Sequence, residues 1–212
     1  MTEENAPDPA VAPFVGMDVY LFDQLVRGRV EPGARVLDVG AGSGRNIAWL
    51  LEQGYEVTAV EPREEAWLAM EERFGERGLS TGAVRLVRTS IEDAPLEPGS
   101  FDLVICNAVL HFATGDVHFD TMLDASWSAV APGGVLFSRL ASAIGIEERV
   151  VPLGEGRFLL PDETERYLVD ERRLVDAAAR LGALQLDPIK TTVVQGLRAM
   201  TTWVLGRPPA GG

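Results

Sequence analysis

A short apolar segment that runs directly into three alternating glycines limits the possible folds of this chain more than any other feature. Residues 35–39 (RVLDV) have the apolar, β-branched character of a buried strand, and Gly40, Gly42 and Gly44 follow at once. Glycine adopts the left-handed backbone of a sharp turn and lets a ligand approach the main chain closely. The segment therefore predicts a strand, a tight turn and a helix over 45–53, with free backbone N–H groups at the helix start.

Strand and helix patterns alternate along the rest of the chain. Strands are predicted over 56–60, 84–87, 101–106 and 135–140, and helices over 17–27, 63–76, 119–130 and 171–181. Such alternation builds a parallel sheet through right-handed crossovers. The closing runs, 184–189 and 191–204, are interrupted only by a short turn and Gly196, so we expect antiparallel pairing there. The predicted fold class is α/β, mostly parallel, with an antiparallel edge.

The length favours a single domain. A chain of 212 residues with 46% hydrophobic residues can bury a core without disulfides or metal ions. We expect this domain over 13–205, between a flexible N-terminal tail, 1–12, and a C-terminal tail, 206–212. Within it, residues 13–32 are expected to carry a lid helix. The irregular region 141–168 is expected to be an insertion near the ligand site, with a small hairpin.

Composition and charge disfavour several kinds of partner. The formal net charge of −13 repels a phosphate backbone, so we expect no nucleic-acid partner. The acidic start of the sequence lacks a basic region before an apolar run, and no run reaches the ~18 apolar residues of a membrane span. Cys106 is the only cysteine, which excludes an internal disulfide and a cysteine-built zinc site. We expect a cytoplasmic monomer or homodimer that holds no metal and does not bind membranes.

An acid follows the second predicted strand, where ligands of open α/β sheets bind. Glu61 comes directly after residues 56–60 and before Pro62. A carboxylate at this position can accept hydrogen bonds from two ribose hydroxyls, as it does in dinucleotide sites. Two alternatives stay open at this point: the glycine segment is a tight turn without a ligand, and Glu61 is a cap or a solvated charge.

Four segments of the sequence occur in an order typical of one enzyme family. They are VLDVGAGSG, VTAVEP, TSIEDAPLEPGSFDLVICNAVLHF and APGGVLFSRL. With them, residues 17–204 resemble a class I S-adenosylmethionine-dependent methyltransferase, and the GSGRN variant is similar to the tellurite-resistance type. The resemblance implies a Rossmann-like, doubly wound sheet of seven strands, S-adenosylmethionine as cofactor and a small-molecule methyl acceptor.

The resemblance also implies a role for each matching position. The residues that would contact the cofactor are Asp38, Gly40, Gly42, Gly44, Glu61, Pro62, Ser90, Ile91, Glu92, Asn107 and Ala108. Among them, Asp38 would help to hold the methionine amino group, and Glu61 would bind the ribose. The adenine would lie against residues 90–92, and Asn107 and Ala108 would line the methionine side. Core packing is an equally good interpretation of Ile91 and Ala108.

Candidates for the acceptor side come from the same strand ends. In-line attack on a sulfonium methyl depends mainly on positioning, because the cofactor supplies the leaving group. His111 is a candidate general base, with a packing role as its alternative, whereas His118 is expected to be solvated. Arg45 and Arg139 are candidate acceptor contacts, since guanidinium groups suit a polar or anionic acceptor. Tyr20, on the expected lid helix, is a third candidate, with apolar packing as its alternative. The alternative is that each arginine pairs with a neighbouring acid.

Two other functions are alternatives to methyl transfer. A nicotinamide dinucleotide site requires G-x-G-x-x-G, and Arg45 stands where the third glycine is needed, so a dinucleotide-dependent reductase is the weaker alternative. A non-catalytic S-adenosylmethionine-binding regulator stays open, because a sequence does not show turnover. Within methyltransferases, the segment after the fourth strand lacks the [DNS]-P-P-[YFW] pattern of amino-methylating DNA enzymes. Cys106, inside a predicted buried strand, is a poor candidate for the nucleophile of cytosine C5 enzymes.

Overall fold

The computed structural model describes residues 12–211 as five helices and eleven strands. The helices are α1 (Val19–Val26), α2 (Ala48–Glu52), α3 (Glu64–Glu76), α4 (Asp116–Ala129) and α5 (Glu171–Arg180). The strands are β1 (Arg35–Val39), β2 (Glu56–Val60), β3 (Val84–Val87), β4 (Phe101–Asn107), β5 (Val130–Ser142), β6 (Val151–Gly154), β7 (Arg157–Leu159), β8 (Glu165–Tyr167), β9 (Leu184–Gln185), β10 (Lys190–Val194) and β11 (Arg198–Gly206). Short 3-10 turns include Ala12–Phe14 and Leu110–Phe112.

The central sheet has the strand order β10-β11-β5-β4-β1-β2-β3, and the short β9 pairs with β11. The strands from β3 to β5 in this order are all parallel to their neighbours. β11 runs antiparallel to both β5 and β10, and Gly196 lies in the turn that joins β10 to β11. The predicted α/β class, with a mostly parallel sheet and an antiparallel edge, is confirmed. The strand order reverses between β1 and β4, which is where such sheets bind ligands.

Helices cover both faces of the sheet, so the central strands are buried on both sides. α1, α2 and α3 pack on one face through residues that include Leu21, Leu50 and Phe74. α4 and α5 pack on the other face through residues that include Phe119 and Leu174. The apolar runs of β4 and β5, which show no alternation, are explained by this double coverage.

Two element boundaries differ from the predicted ones near the strand ends. The helix after the glycines begins at Ala48, because hydrogen-bonded turns centred on Gly44 occupy the preceding residues. Arg45 was predicted to lie in the first turn of this helix, but it lies in the turn that precedes the helix. β5 starts at Val130, before the Pro132-Gly133-Gly134 turn, and continues to Ser142, so the insertion begins later than predicted.

The insertion forms a small antiparallel sheet of its own, in the order β6-β7-β8. The predicted hairpin is formed by β7 and β8, and β6 is an additional strand that was not predicted. Tyr167 of β8 anchors this sheet: its ring stacks on Phe119 at 4.7 Å between centroids, and its hydroxyl donates to Asp116 at 2.8 Å. The small sheet is thereby attached to the start of α4.

The predicted tails meet the described region differently at its two ends. Residues 1–11 of the predicted N-terminal tail lie outside the described residues, and Ala12 belongs to a 3-10 turn. The C-terminal tail was predicted to begin too early, because Gly206 pairs with Val135 and Arg207 donates to the carbonyl of Val130 at 2.6 Å. Among the helices of residues 12–211, none is long and apolar enough to cross a bilayer.

Candidate active site

A cavity of about 320 Å³ lies beyond the carboxyl ends of β1, β2 and β4. It brings together seven of the eleven positions that the sequence predicts to contact a cofactor. They are Gly40, Glu61, Pro62, Ser90, Ile91, Glu92 and Ala108. Asp38, Gly42, Gly44 and Asn107 are not part of this wall but lie on or beside the same strand ends. The cavity also has wall residues that were not predicted, among them Arg63 and His118.

The three glycines after β1 have different environments although all three have left-handed backbones, with φ of +62°, +55° and +70°. A Cβ on Gly40 would lie 2.6 Å from Val109 Cγ2, and one on Gly44 would lie 2.8 Å from Phe74 Cε1. A Cβ on Gly42 would meet nothing closer than the Gly40 carbonyl oxygen at 4.0 Å. Gly40 and Gly44 therefore let the protein pack against itself, and Gly42 is the glycine that borders open space.

Glu61 is buried, and both of its carboxylate oxygens are occupied. Oε2 accepts from the Gly42 N–H at 2.9 Å and from Arg63 Nη2 at 3.3 Å. Oε1 accepts from the Arg63 N–H at 3.0 Å and from Arg63 Nε at 2.9 Å. Burial by itself would raise the pKa of Glu61, but the hydrogen bonds from Arg63 and Gly42 outweigh it and lower the pKa. Glu61 is therefore ionised, and it links the glycine turn to the end of β2.

Asp38, on β1, has the opposite electrostatic environment. Its side chain is buried, and Oδ2 has no hydrogen-bond partner among the described residues. Burial raises the pKa of Asp38 to about 8, with the charge of Glu61 adding to the effect and that of Arg45 opposing it. A buried acceptor without a partner is costly, so this oxygen is well placed to receive a donor from a ligand.

The cavity wall also contains a histidine–carboxylate pair, His118 and Glu92. His118 Nε2 lies 2.6 Å from Glu92 Oε1, and Nδ1 accepts from the Thr114 N–H at 3.0 Å. His118 lies in the first turn of α4 with its side chain 35% exposed, so it is partly solvated as expected, but its ring is also held by Glu92. Burial would raise the pKa of Glu92, but hydrogen bonds, including the one from His118, lower it.

His111, the candidate base, is buried beside β5 and outside the wall of the main cavity. Its Nδ1 accepts from the Ala141 N–H at 3.2 Å, which assigns the ring proton to Nε2. Burial lowers the pKa of His111 to about 4, and the charge of Arg166 adds to this effect. The ring lines a second cavity of about 350 Å³, next to β8. These contacts favour a hydrogen-bond donor over the predicted base.

Arg139, near the end of β5, pairs with an acid at the start of α1. Its Nη1 donates to Asp18 Oδ2 at 2.8 Å, and its guanidinium lies 5.3 Å from the centroid of the Tyr20 ring. Asp18 also caps α1 by accepting from the Tyr20 N–H, and the Tyr20 hydroxyl lies 3.0 Å from Thr192 Oγ1. Arg139 Nε is buried and has no partner within residues 12–211. Arg139 therefore pairs with a neighbouring acid, as the alternative interpretation states, but its Nε–H donor has no described partner.

Asn107 ends β4 directly beside Arg139, its register partner on β5. The Asn107 side chain is buried, and Nδ2 lacks a hydrogen-bond partner among the described residues. The next residue, Ala108, has φ of +63°, and its N–H donates to the Arg139 carbonyl at 2.7 Å. This left-handed residue turns the chain sharply away from the sheet at the site.

Arg45 and Arg139 approach the same N-terminal segment from different sides. Arg45 is exposed, and its Nη1 donates to the Gly16 carbonyl at 3.2 Å. Asp18, two residues further on, holds Arg139 and donates its own N–H to Asn46 Oδ1 at 3.1 Å. The structure therefore places both arginines beside residues 16–18 and shows Arg139 as the less exposed of the two.

Sequence reasoning missed three residues that the geometry makes prominent, and Cys106 behaves as expected. Arg63, His118 and Asp18 each engage an acid or a base of the site. Only Asp18 had a usable signal, since aspartate before an apolar helical run is a typical N-cap. Burial raises the pKa of the Cys106 thiol to about 12, which makes it inert. Within residues 12–211, no group of three or more His, Cys, Asp or Glu could hold a metal ion.

The fold and the site together define the class. An open parallel sheet with a glycine turn after β1, an acid after β2 and a cavity between them is the architecture of a nucleoside-binding α/β enzyme. Residues 37–138 match a family model described as a methyltransferase domain. A ubiquinone biosynthesis O-methyltransferase from Xanthomonas campestris pv. campestris (strain B100) is 32% identical over 185 residues, which cover 80% of this chain and 75% of that protein. The chain belongs to the class I S-adenosylmethionine-dependent methyltransferases.

One further curated relative and two solved structures are also similar to this chain. A ubiquinone biosynthesis O-methyltransferase from Burkholderia pseudomallei (strain 1710b) is 27% identical over 151 residues, 65% of this chain and 63% of that one. An S-adenosylmethionine-dependent methyltransferase from Methanosarcina mazei has the same fold, with a TM-score of 0.73 at 18% identity over 88% of this chain and 98% of the other. The 1,6-didemethyltoxoflavin-N1-methyltransferase of Burkholderia thailandensis was solved with S-adenosylhomocysteine. It has a TM-score of 0.62 at 19% identity over 98% of this chain and 93% of the other. The predicted enzyme class and cofactor, S-adenosylmethionine, are confirmed.

Proposed function

We propose that this methyltransferase acts on a small polar or anionic acceptor, which it holds between the ends of β4 and β5. The observation that carries the proposal is a pair of buried donors, Asn107 Nδ2 and Arg139 Nε, that have no partner within the described part of the chain. They belong to register partners on neighbouring strands. Buried donors without partners are costly, and an acceptor with oxygen atoms or negative charge would satisfy both.

The cofactor roles of the strand-end residues are also part of the proposal. Asp38 Oδ2, a buried acceptor without a described partner, suits the ammonium group of the cofactor's methionine. The open space beside Gly42 suits the close approach of the same end of the molecule. We assign the ribose to Glu61, and the adenine to the cavity wall formed by residues 90–92.

The chemistry requires little from the protein beyond positioning. S-adenosylmethionine, when bound, supplies a methyl group on a sulfonium together with its own leaving group. Arg139 is fixed by Asp18 and the Tyr20 ring, so its free Nε can orient an acceptor without first being ordered. His111, neutral at physiological pH with its proton on Nε2, lines the separate cavity next to β8, so we assign it no role in the transfer itself. A base is needed only for acceptors with a high pKa.

Oxygen nucleophiles are the first acceptor class to examine. The curated relatives above are named O-methyltransferases, whereas the Burkholderia thailandensis structure carries an N-methyltransferase name. The GSGRN segment, similar to the tellurite-resistance type, adds chalcogen oxyanions to the set. We also propose a cytoplasmic location, a monomeric or homodimeric state and no nucleic-acid partner, which the net charge of −13 supports.

A methyl-transfer screen tests the acceptor site. The protein is incubated with radiolabelled S-adenosylmethionine and phenols, carboxylates, thiols, amines and chalcogen oxyanions, and the best acceptor is used for kinetics. We expect Arg139→Met to lower kcat/KM for that acceptor at least tenfold, with S-adenosylhomocysteine affinity within twofold of the parent. Arg45→Met should have a smaller effect, because Arg45 is exposed.

Arg85→Met is the matched control, since Arg85 is an exposed arginine of β3 at the opposite edge of the sheet. Unchanged acceptor kinetics in Arg139→Met would contradict the proposed acceptor site. Binding of S-adenosylhomocysteine without transfer to any acceptor in the screen would favour the alternative of a non-catalytic regulator.

A further inference from the structure

Arg63 lies over the carboxylate to which we assign the ribose. Its Nε and Nη2 donate to Glu61 Oε1 and Oε2 at 2.9 and 3.3 Å, and both residues belong to the cavity wall. The Glu61 side chain is 1% exposed, whereas that of Arg63 is 60% exposed. The guanidinium therefore covers the solvent side of a buried carboxylate, at the position from which a ligand would reach it.

The hydrogen-bonding capacity of Glu61 is already full. A carboxylate offers about four lone-pair sites. Two are taken by main-chain N–H groups, those of Gly42 and Arg63, and two by the Arg63 guanidinium. A ribose diol brings two further donors, so two of the present four must leave.

The two kinds of donor differ in how easily they can leave. The Gly42 N–H is held by the turn after β1, and the Arg63 N–H by the backbone that enters α3. The guanidinium is attached through a flexible side chain and is mostly in solvent, so its departure disturbs no buried packing. The guanidinium is thus the donor that a ribose can replace.

We propose that Arg63 occupies the ribose subsite in the free enzyme and that the ribose hydroxyls displace it, so that Arg63 sets the cofactor affinity. The proposal rests on the ribose role proposed for Glu61. In the free enzyme the guanidinium keeps the buried carboxylate ionised and oriented. The same contact lowers the affinity for the cofactor, because the ion pair must open before the diol can bind.

Calorimetric titration with S-adenosylhomocysteine tests this competition. Arg63→Met keeps an unbranched side chain and removes the charge, and we expect it to bind the ligand three- to tenfold more tightly than the parent. Arg88→Met is the matched control, because the Arg88 guanidinium lies 3.8 Å from the Trp67 ring centroid and does not contact Glu61. Its affinity should stay within twofold of the parent. Weaker or unchanged binding by Arg63→Met would overturn the proposal.

Two further measurements separate displacement from a general effect of charge. S-adenosylhomocysteine has no net charge, so salt should act mainly on the Arg63–Glu61 ion pair. Raising NaCl from 50 to 300 mM weakens this pair and should tighten binding to the parent. Arg63→Met, which lacks the pair, should show no such tightening. Arg63→Met should also tighten binding of adenosine but not of 2′,3′-dideoxyadenosine, which has no diol to compete. Equal tightening of the two nucleosides would contradict displacement.

The failure of this proposal is distinguishable from failure of the ribose assignment. Glu61→Ala should weaken S-adenosylhomocysteine at least tenfold, and adding Arg63→Met to it should cause no further change. A loss below twofold in Glu61→Ala would reject the ribose role, and the displacement with it. A tenfold loss in Glu61→Ala, with no gain in Arg63→Met, would keep the ribose role and reject the displacement alone.

Discussion

Two ion pairs border the site, one on the proposed acceptor side and one on the proposed ribose side, and they differ in how exposed the arginine is. Asp18 and Glu61 are equally buried, each with a side chain 1% exposed, and their arginine contacts are 2.8 and 2.9 Å long. Arg139 is 24% exposed, whereas Arg63 is 60% exposed. The same chemical pairing therefore serves as a fixed support in one place and as a replaceable cover in the other.

The origin of each pair in the chain explains this difference. Arg139 and Asp18 are 121 residues apart, so their contact joins α1 to the end of β5, and the arginine is also covered by the Tyr20 ring. Arg63 is only two residues from Glu61, so opening that pair separates no elements of the fold. A long-range pair holds the architecture together, and a local pair can exchange with a ligand.

The largest expected effect concerns Gly42, in the turn after β1, whose main chain does not move when a ligand replaces the Arg63 guanidinium. In Gly42→Val, the new side chain would fill the open space beside the turn, at a residue with φ of +55°. We expect S-adenosylhomocysteine binding to weaken at least a hundredfold, measured by calorimetry. Gly54→Val controls for backbone strain, because Gly54 has φ of +79° and open space but lies away from the site. Similar affinity losses in both variants would attribute the effect to strain.

The next effect concerns the support on the acceptor side. Asp18→Ala removes the N-cap of α1, worth about 1 kcal/mol, and a charged hydrogen bond to Arg139, worth about 1.5–3 kcal/mol. We expect the free energy of unfolding to fall by the sum of the two, about 2.5–4 kcal/mol, in urea titrations. Asp23→Ala, on the same helix, removes a half-exposed pair with Arg27 and a long hydrogen bond from Gln24 Nε2 at 3.4 Å. It should cost under about 1 kcal/mol. Equal losses would show that Asp18 is not a support.

The smallest expected effect is the release of a proton from Asp38 when a ligand binds. The pKa of Asp38 is about 8 in the folded protein, above the ordinary value of 3.8. Between these two pH values the folded protein therefore binds one proton more than the unfolded chain. Stability should therefore fall as pH rises through that window. An ammonium group bound beside Asp38 lowers the pKa again, so binding of S-adenosylhomocysteine at pH 7 should release up to about one proton. Calorimetry in buffers of different ionisation enthalpy measures this release.

Asp38→Asn is the control for the proton count, because it cannot titrate. Its binding enthalpy should not depend on the buffer. A parent protein that also shows no buffer dependence would contradict the raised pKa of Asp38.

Much of the fold could be predicted because its strands are short, apolar and ended by recognisable turns. β1, β2 and β3 have the predicted bounds, since glycine or proline turns and polar residues delimit them. β6 was missed because its four residues are all exposed and carry no alternating pattern. The extension of β11 to Gly206 depends on pairing with β5, which local sequence does not encode.

The sequence indicates which strand ends form the candidate site, but it does not indicate which side chains pair with each other there. The sequence points to Glu61 because it follows a strand, but the cover by Arg63 depends on the extended backbone of Arg63 at the start of α3. The pairing of His118 with Glu92 depends on how the Leu110–Phe112 turn directs the chain into α4. Contacts of this kind require the path of the loops, which side-chain chemistry alone does not specify.

The position of β11 has a consequence for how the protein is made. Among the strands of the described sheet it is the last in the chain, yet it lies inside the sheet, between β5 and β10. A nascent chain therefore emerges from the ribosome with the backbone N–H and C=O groups along one edge of β5 unpaired until residues 198–206 follow. Open edges of this kind recruit strands from other molecules. During translation, the aggregation risk should concentrate on β5 and end when β11 closes the sheet.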